Sequence, residues 1–213
     1  MEKEKRILDF YLQVCKLKYK IRSGWDERHW NVDSKRIESI AEHVFGTCVL
    51  AMATYQEYSK DIDLFKVLKM LILHEIGETI IGDITPYDGI SEEEKYLMEH
   101  NAILSVASML FDEKEITQLL IEFDEHKTKE SKFAYSIDKL EADIQAKYYE
   151  EKKMLTLDNN DNNLVFNSER NKKIKQSGAN RVFEYWYQND KEKISDPDLL
   201  KLLKYLYEND ITK

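Results

Sequence analysis

A mostly apolar run over residues 64–82 constrains the fold of this chain more than any other feature of its sequence. A helix that is apolar on nearly every side must be buried. This one is interrupted by an imidazole and two carboxylates, His74, Glu75 and Glu78. Because burying unpaired ionised groups is costly, such groups are usually paired or bound to metal. We therefore expect a buried helix that carries a candidate site.

The low content of helix-breaking residues favours an all-α fold. The 213 residues include only 6 Gly and 2 Pro, too few for a protein with many turns. Apolar residues recur at helical spacing, and no alternating strand pattern or internal repeat stands out. The sequence predicts a compact bundle of about seven to nine helices. We expect one domain over residues 1–155 and a C-terminal helical extension, residues 156–213, packed on it.

Capping signals set several predicted helix starts. Ser91 with Glu94 forms a capping box, Asp112 plays a similar part, and Asp196-Pro197 fits an N-cap followed by Pro at the first helical position. The predicted helices cover residues 5–20, 36–58, 64–82, 91–110, 112–125, 131–154, 168–189 and 197–208.

We expect the site in a cleft between the predicted helices 36–58, 64–82 and 131–154.

Charge and composition narrow the possible functions. The net charge of −9 is a poor match to a nucleic-acid polymer, although a bound cation could still attract a small phosphorylated substrate. We find neither a signal peptide nor an apolar run of about 18 residues that could span a membrane. Cys15 and Cys48 lie in apolar helical patterns as free thiols, so a reducing cytoplasm is the simplest compartment.

Two further residues, His43 and Asp138, also interrupt apolar helical surroundings. Together with His74 and Glu75 they offer two imidazoles and two carboxylates from three helices, a set that can bind a divalent transition metal and leave positions open. These ligands suit Mn, Co, Fe, Ni or Zn without distinguishing among them. His43 as a hydrogen-bonded structural residue, and Asp138 as a helix-face carboxylate paired with Lys139, stay open as alternatives.

Glu78 argues against one familiar metal site. It stands where the zincin pattern HExxH requires its second histidine, so a metalloprotease is disfavoured.

Several motifs together resemble the HD-domain metal-dependent phosphohydrolases, in the branch of bacterial 5′-deoxynucleotidases and their eukaryotic HD-domain-containing relatives. The order of His43, then His74 followed by an acid, then Asp138 in I-D-K-L-E-A carries the resemblance. Residues 22–28 resemble R-x-G-W-x-x-R, and residues 36–43 resemble R-x-E-S-[VI]-x-[ED]-H. Residues 74–83 read H-E-x-x-E-x-x-x-G-D where the family has H-D-x-x-E-x-x-x-G-D. The resemblance covers about residues 15–155.

The resemblance implies release of phosphate from (deoxy)nucleoside 5′-monophosphates by metal-activated water. It implies that Glu78 and Asp83 position or deprotonate the water, that Arg22 meets the phosphate, and that Trp25 lies near the nucleoside, unless Trp25 is a plain core aromatic or Arg22 a surface ion-pair partner. It also implies a homodimer. The implied metal ligands are His43, His74, Glu75 and Asp138.

Glu75 departs from the family pattern, because the family has Asp at this position. Three consequences are open: an active enzyme with a shifted metal, an altered metal preference, or weak metal binding. We expect activity or partial activity, because the other site residues are present. The rival is a metal- or nucleotide-binding module with little or no turnover. A purely structural helical protein would not explain why ionisable residues fall inside the most apolar helix.

Two features of the C-terminal part leave alternatives open. The run from Asp158 to Asn163, followed by Glu169, partly fits a calcium-binding EF-hand loop, but Asn163 replaces the expected Gly and no paired loop exists. We favour an Asn-rich connector. The last helices either pack back on the bundle through their aromatic residues or present them as a dimer face. These residues are Phe183, Tyr185, Trp186, Tyr187, Tyr205 and Tyr207.

Overall fold

The computed structural model of the protein describes residues 2–58, 60–159 and 163–213. Over these ranges the chain is helical, and the only β pairing is one isolated bridge between Ile21 and Ser39. The predicted all-α fold is confirmed. The α-helices are α1 (Glu2–Val14), α2 (Ile40–Glu57), α3 (Leu64–Leu73), α4 (Glu78–Ile81), α5 (Glu92–Ala107), α6 (Glu113–Glu125), α7 (Lys129–Glu151), α8 (Leu164–Asn167), α9 (Glu169–Gln176), α10 (Val182–Asp190) and α11 (Pro197–Glu208).

The predicted caps begin three helices. The Ser91 hydroxyl accepts a hydrogen bond from the Glu94 backbone N–H, and the Glu94 carboxylate accepts one from the Ser91 backbone N–H. This capping box starts α5. Asp112 caps α6 and Asp196 caps α11, with Pro197 in its first turn. These helices start where the sequence predicts because each capping contact is made within a few residues of chain.

The prediction of one continuous helix over residues 64–82 is wrong. Helix α3 ends at Leu73, and the next residues form tight turns in which Ile76 N–H donates to the Leu73 carbonyl. Gly77 lies within these turns, where the backbone packs closely on α5 and leaves no room for a Cβ atom. A Cβ at Gly77 would lie 2.8 Å from Ile103 Cγ1 and 3.1 Å from the Glu99 carbonyl oxygen.

Other predicted boundaries also shift. The first helix ends at Val14 and continues as a 3₁₀ turn, Cys15–Tyr19. The predicted helix over residues 168–189 is two helices, α9 and α10, separated by Gly178 with φ of 99°. Because these two predicted helices are split and short α8 is added, the described residues contain more α-helical segments than expected. The proposed calcium loop includes residues 160–162, which lie outside the described residues.

Helix α7 forms the centre of the bundle and packs against α2, α3, α6, α10 and α11. Of the C-terminal aromatics, Trp186 stacks on Trp25 of the bundle and Tyr187 stacks on Tyr207, whereas Tyr205 is exposed. The segment before α2 is held by backbone pairing, in which Ile40 N–H donates to the Lys20 carbonyl. None of the described helices is both long and apolar enough to cross a membrane.

Candidate metal centre and cleft

Four side chains from three parts of the bundle converge at one point. His43 comes from the first turn of α2, His74 and Glu75 from the turn that follows α3, and Asp138 from the middle of α7. One ligand atom of each lies within 4.8 Å of those of the other three. His43 Nε2 is 2.9 Å from Asp138 Oδ1, and His74 Nε2 is 3.5 Å from the same oxygen. The structure therefore brings together all four residues that the sequence suggested as ligands.

The chemistry of this cluster fits a divalent cation. His74 Nδ1 lies 3.2 Å from the Met70 carbonyl, which can only accept a hydrogen bond, so in the neutral imidazole the lone pair is on Nε2, the nitrogen that faces the cluster. Two imidazole nitrogens and two carboxylates form a ligand set that transition metals accept.

Protonation of the cluster leads to the same conclusion. Burial lowers the pKa of His74, but the negative charges of Glu75 and Asp138 outweigh burial and raise it to about 9. The pKa of Asp138 is held well below its usual range, because Lys139 and the two histidines outweigh the effect of burial. Without a cation, then, the carboxylates are balanced by imidazole protons. A divalent cation can replace those protons, as metal ligands must be deprotonated.

Glu75 reaches the centre despite the tight geometry around it. Its Oε1 lies 3.3 Å from His74 Nε2 and 3.5 Å from His43 Nε2. Glu75 projects from the turn after α3, and its carboxylate lies within 4.8 Å of the other three ligand atoms. The carboxylate is therefore in position to act as a ligand.

Two glutamates that were not among the predicted site residues, Glu38 and Glu141, lie next to His43. Glu141 hydrogen-bonds His43 Nδ1, opposite the nitrogen that faces the cluster. Glu38 accepts a 2.8 Å hydrogen bond from Trp25 Nε1, and burial and the nearby Glu141 charge raise the pKa of Glu38 to about 7. The signal for Glu141 was available, because it follows Asp138 by three residues and so lies on the same helix face.

Arg22 lies beside the cluster. Its Nη1 is 4.0 Å from Glu75 Oε1, and this buried nitrogen has no hydrogen-bond partner within the described residues. Burial disfavours its charge, but the carboxylates around it, Glu75 first among them, outweigh burial and raise its pKa. The backbone N–H of Arg22 also donates a hydrogen bond to the Glu38 carbonyl, which fixes the backbone from which the guanidinium extends. A buried cationic donor is thus available to an anionic ligand.

Glu78 and Asp83 also lie at the centre. Burial, together with the charges of Glu75 and Asp83, raises the pKa of Glu78 well above its usual value, and Glu78 Oε2 has no hydrogen-bond partner within the described part of the chain. Burial raises the pKa of Asp83 despite the nearby Arg22. Ser23 N–H donates a 2.7 Å hydrogen bond to Asp83 Oδ2 and holds that carboxylate in place. Both carboxyl groups therefore keep a proton to higher pH than exposed carboxyl groups do.

A cleft of about 490 Å³ opens onto these residues, within the usual size range of a small-molecule site. Trp25 borders it but is only 1% exposed, so it is also a core aromatic. One wall comes from the C-terminal extension and includes Trp186 and Asn189 on α10. The sequence alone does not predict this contribution, because nothing in the local pattern of residues 156–213 indicates which way α10 faces.

His29 is fully buried next to Thr85, which lines the cleft. Its Nδ1 lies 2.7 Å from Asp26 Oδ1, and its Nε2 lies 3.0 Å from Thr85 Oγ1. This contact ties the loop that follows Asp83 to the segment that carries Arg22 and Trp25. His29 therefore has a structural role in shaping the cleft.

An all-α bundle in which two histidines, a glutamate and an aspartate converge at one point defines a class of helical proteins with a metal-type site. The HD domain family model matches residues 14–181, and the chain belongs to the HD domain family.

Sequence similarity to curated proteins supports this assignment. The 5′-deoxynucleotidase HDDC2 of Dictyostelium discoideum is 37% identical over 150 residues, covering 67% of this chain and 77% of that protein. The 5′-deoxynucleotidase hdd1 of Schizosaccharomyces pombe is 33% identical over 152 residues, covering 68% of this chain and 73% of that protein.

Solved structures show the same fold over nearly the whole chain. A predicted metal-dependent phosphohydrolase from Magnetospirillum magnetotacticum aligns with a TM-score of 0.65 at 20% identity, covering 96% of this chain and 93% of that chain. A conserved hypothetical protein from Pyrococcus furiosus aligns with a TM-score of 0.62 at 23% identity, covering 95% and 99%. The C-terminal extension is thus part of the shared fold.

Proposed function

We propose that this protein is a metal-dependent phosphohydrolase that releases inorganic phosphate from (deoxy)nucleoside 5′-monophosphates. The observation that carries the proposal is the convergence of His43, His74, Glu75 and Asp138 beside an unpaired buried Arg22 nitrogen. The names of the curated relatives, which are 5′-deoxynucleotidases, support the same substrate class.

We propose that the four converging side chains hold one divalent transition metal, with Mn, Co, Fe, Ni and Zn as candidates. Such a cation would supply charge stabilisation for the phosphoryl oxygens and a lowered pKa for water. Asp138 Oδ2 also accepts a 2.8 Å hydrogen bond from Lys139 Nζ, which fixes the rotamer of this carboxylate. The nearby ammonium leaves Asp138 ionised, as a ligand must be.

The surrounding residues would orient the substrate and move the proton. Arg22 would donate to the phosphoryl oxygens and stabilise their charge. Glu78 or Asp83 would accept a proton from the water whose oxygen attacks phosphorus. The bond from phosphorus to the 5′ oxygen breaks, and the nucleoside leaves as its 5′-hydroxyl with a proton from the site. Trp25, at the border of the cleft, would lie near the nucleoside.

A phosphate-release assay tests the proposal. Purified protein loaded with Mn²⁺ or Co²⁺ is incubated with a panel of ribo- and deoxynucleoside 5′-monophosphates, and its metal content is measured in parallel. The wild-type protein should release phosphate, and His74→Ala should lose both metal and activity. No release from any nucleotide, with His74→Ala binding metal as well as wild type, would refute both the activity and the metal site.

The rival function is a metal- or nucleotide-binding module with little or no turnover, and Glu75 in place of Asp is the observation that favours it. A shift of about 1 Å in a ligand can reduce a rate by orders of magnitude. Nucleotide binding by the metal-loaded protein without phosphate release in the same panel would support this alternative.

We also propose that the protein works as a homodimer in the cytoplasm. Phe45, Val49 and Met52 are exposed apolar residues at helical spacing on α2, which suits self-association. The free thiols Cys15 and Cys48 suit a reducing compartment. Light scattering in solution tests the dimer, and a monomer at micromolar concentration would contradict it.

A further inference from the structure

Two residues of α10 that line the cleft each carry a buried polar atom without a hydrogen-bond partner among the described residues. Trp186 Nε1 is a donor and Asn189 Oδ1 is an acceptor; both are buried, and neither has a hydrogen-bond partner within the described residues. They are three residues apart on one helix, so they lie on the same face. Because buried polar groups are nearly always satisfied, an unpaired donor and an unpaired acceptor on one face of a helix that lines the cleft indicate a ligand.

The orientation of the Asn189 amide follows from its neighbours. The Val165 carbonyl can only accept a hydrogen bond, and Asn171 Nδ2 lies 3.1 Å from it. Asn171 Oδ1 is therefore an acceptor, and it receives a 3.0 Å hydrogen bond from Asn189 Nδ2. This leaves Asn189 Oδ1 as the free atom. Asn189 is only 8% exposed, so its amide is held in this orientation.

The indole of Trp186 is equally constrained. Its ring stacks on Trp25, with ring centroids 5.1 Å apart and planes 27° apart, and it also contacts Trp30 at 5.5 Å. The open donor therefore belongs to a rigid aromatic wall. A planar ligand can use such a wall at little entropic cost, because the groups are already in place.

Charge at this wall does not favour a second phosphate. Asp190 and Lys193, which also border the cleft, form an ion pair with each other. Arg170 donates a 2.8 Å hydrogen bond to the Asn189 carbonyl. The unpaired atoms Trp186 Nε1 and Asn189 Oδ1 belong to neutral side chains, and they would be satisfied by one acceptor and one donor on a flat ligand. A nucleobase edge meets this requirement.

We propose that Trp186 and Asn189 form a nucleobase-recognition subsite. A ring or exocyclic N–H of the base donates to Asn189 Oδ1, and a ring nitrogen or carbonyl oxygen of the base accepts from Trp186 Nε1. The inference rests on the proposed nucleotide substrate and adds that the C-terminal extension, by recognising the base, makes the cleft select intact nucleotides over phosphorylated sugars without a base.

The test compares two substrates in one assay. The ratio of kcat/KM for 2′-deoxynucleoside 5′-monophosphates to kcat/KM for 2-deoxyribose 5-phosphate is measured with the Mn²⁺-loaded protein. Trp186→Phe removes the donor while keeping a ring, and Asn189→Leu removes the acceptor. Each should lower the ratio by about 3- to 10-fold, the effect of one lost hydrogen bond. Tyr187→Phe is the control, because Tyr187 stacks on Tyr207 away from the cleft and should keep the wild-type ratio.

The outcomes separate the two proposals. If the wild type hydrolyses nucleotides and Trp186→Phe keeps its selectivity ratio, the base subsite is wrong and the phosphohydrolase proposal stands. If the wild type releases phosphate from neither substrate, the activity is wrong, and the subsite is judged by calorimetry with 2′-deoxynucleosides that lack phosphate. Nucleoside binding that weakens about 3- to 10-fold in Trp186→Phe would support it. Absence of wild-type binding at millimolar concentration would overturn it.

Discussion

Glu141 on α7 hydrogen-bonds the Nδ1 atom of His43 on α2. A carboxylate at Nδ1 fixes the imidazole so that Nε2 faces the cluster, where it lies 2.9 Å from Asp138 Oδ1. The contact also joins the two helices directly behind the metal centre. Glu141 is thus placed to position a ligand without being one.

Replacing Glu141 by Gln should weaken metal binding by about 10- to 100-fold, since the neutral amide no longer orients His43 or raises its basicity. Affinity can be measured by competition with a metal chelator. The exposed Glu208→Gln serves as a charge-matched control and should bind metal like the wild type. Equal affinities for both variants would show that Glu141 only contributes to packing.

Glu78→Gln should lower kcat by about 10²- to 10⁴-fold while the bound metal is retained, because the amide cannot accept the proton of the attacking water. Glu75→Gln should reduce metal content as well as turnover, because Glu75 lies within the ligand cluster. Phosphate release and elemental analysis of the same samples distinguish the two effects. If Glu78→Gln keeps its activity, the proton acceptor is Asp83.

Gly77→Ala should lower the free energy of unfolding by about 1–3 kcal/mol, the usual cost of overpacking. The new Cβ would meet Ile103 Cγ1 at 2.8 Å and the Ile103 backbone nitrogen at 3.0 Å, so the turn that carries His74 and Glu75 must move away from α5. Urea denaturation measures the change. Gly24→Ala is the steric control, since its Cβ would have nothing within 4 Å. A urea midpoint for Gly77→Ala equal to that of the wild type would mean that α5 can shift at little cost in free energy.

Asp143 gives a pH-dependent prediction away from the metal centre. It is fully buried, and burial together with the charge of Asp190 raises its pKa well above the usual value. Between its unfolded pKa of about 3.9 and this raised folded pKa, the folded protein binds more protons than the unfolded chain. The contribution of Asp143 to stability is therefore lost as the pH rises through that window.

Asp143→Asn should flatten this dependence, because an amide can donate to Asp190 at any pH. At pH 8 the variant should be more stable than the wild type by about 1–3 kcal/mol, and the difference should shrink toward pH 5. Denaturation at several pH values measures both. Asp61→Asn changes an exposed carboxylate paired with Lys129 and should have little effect. A pH-independent difference would show that the Asp143 carboxyl is not the titrating group.

The sequence predicted what depends on a few neighbouring residues. The capping box at Ser91, the caps at Asp112 and Asp196, and the helical spacing around His43 and Asp138 each act within one or two turns of chain. The four candidate ligands could also be read from the sequence, because a charged group in an apolar helix is conspicuous wherever the helix ends up. The split of the predicted helix at residues 168–189 was missed, although Gly178 lies at the break.

Tertiary packing decided the rest. The turns after Leu73 place Glu75 in the cluster, next to the point where α5 packs closely on Gly77, and no local sequence pattern indicates that contact. The pairing of Glu141 with His43 and the placement of Trp186 and Asn189 in the cleft wall likewise join residues far apart in the chain. Local hydrogen bonds and periodicity specify helices, but which faces meet is set by the packing of the whole core, so only the folded structure shows the shape of the cleft.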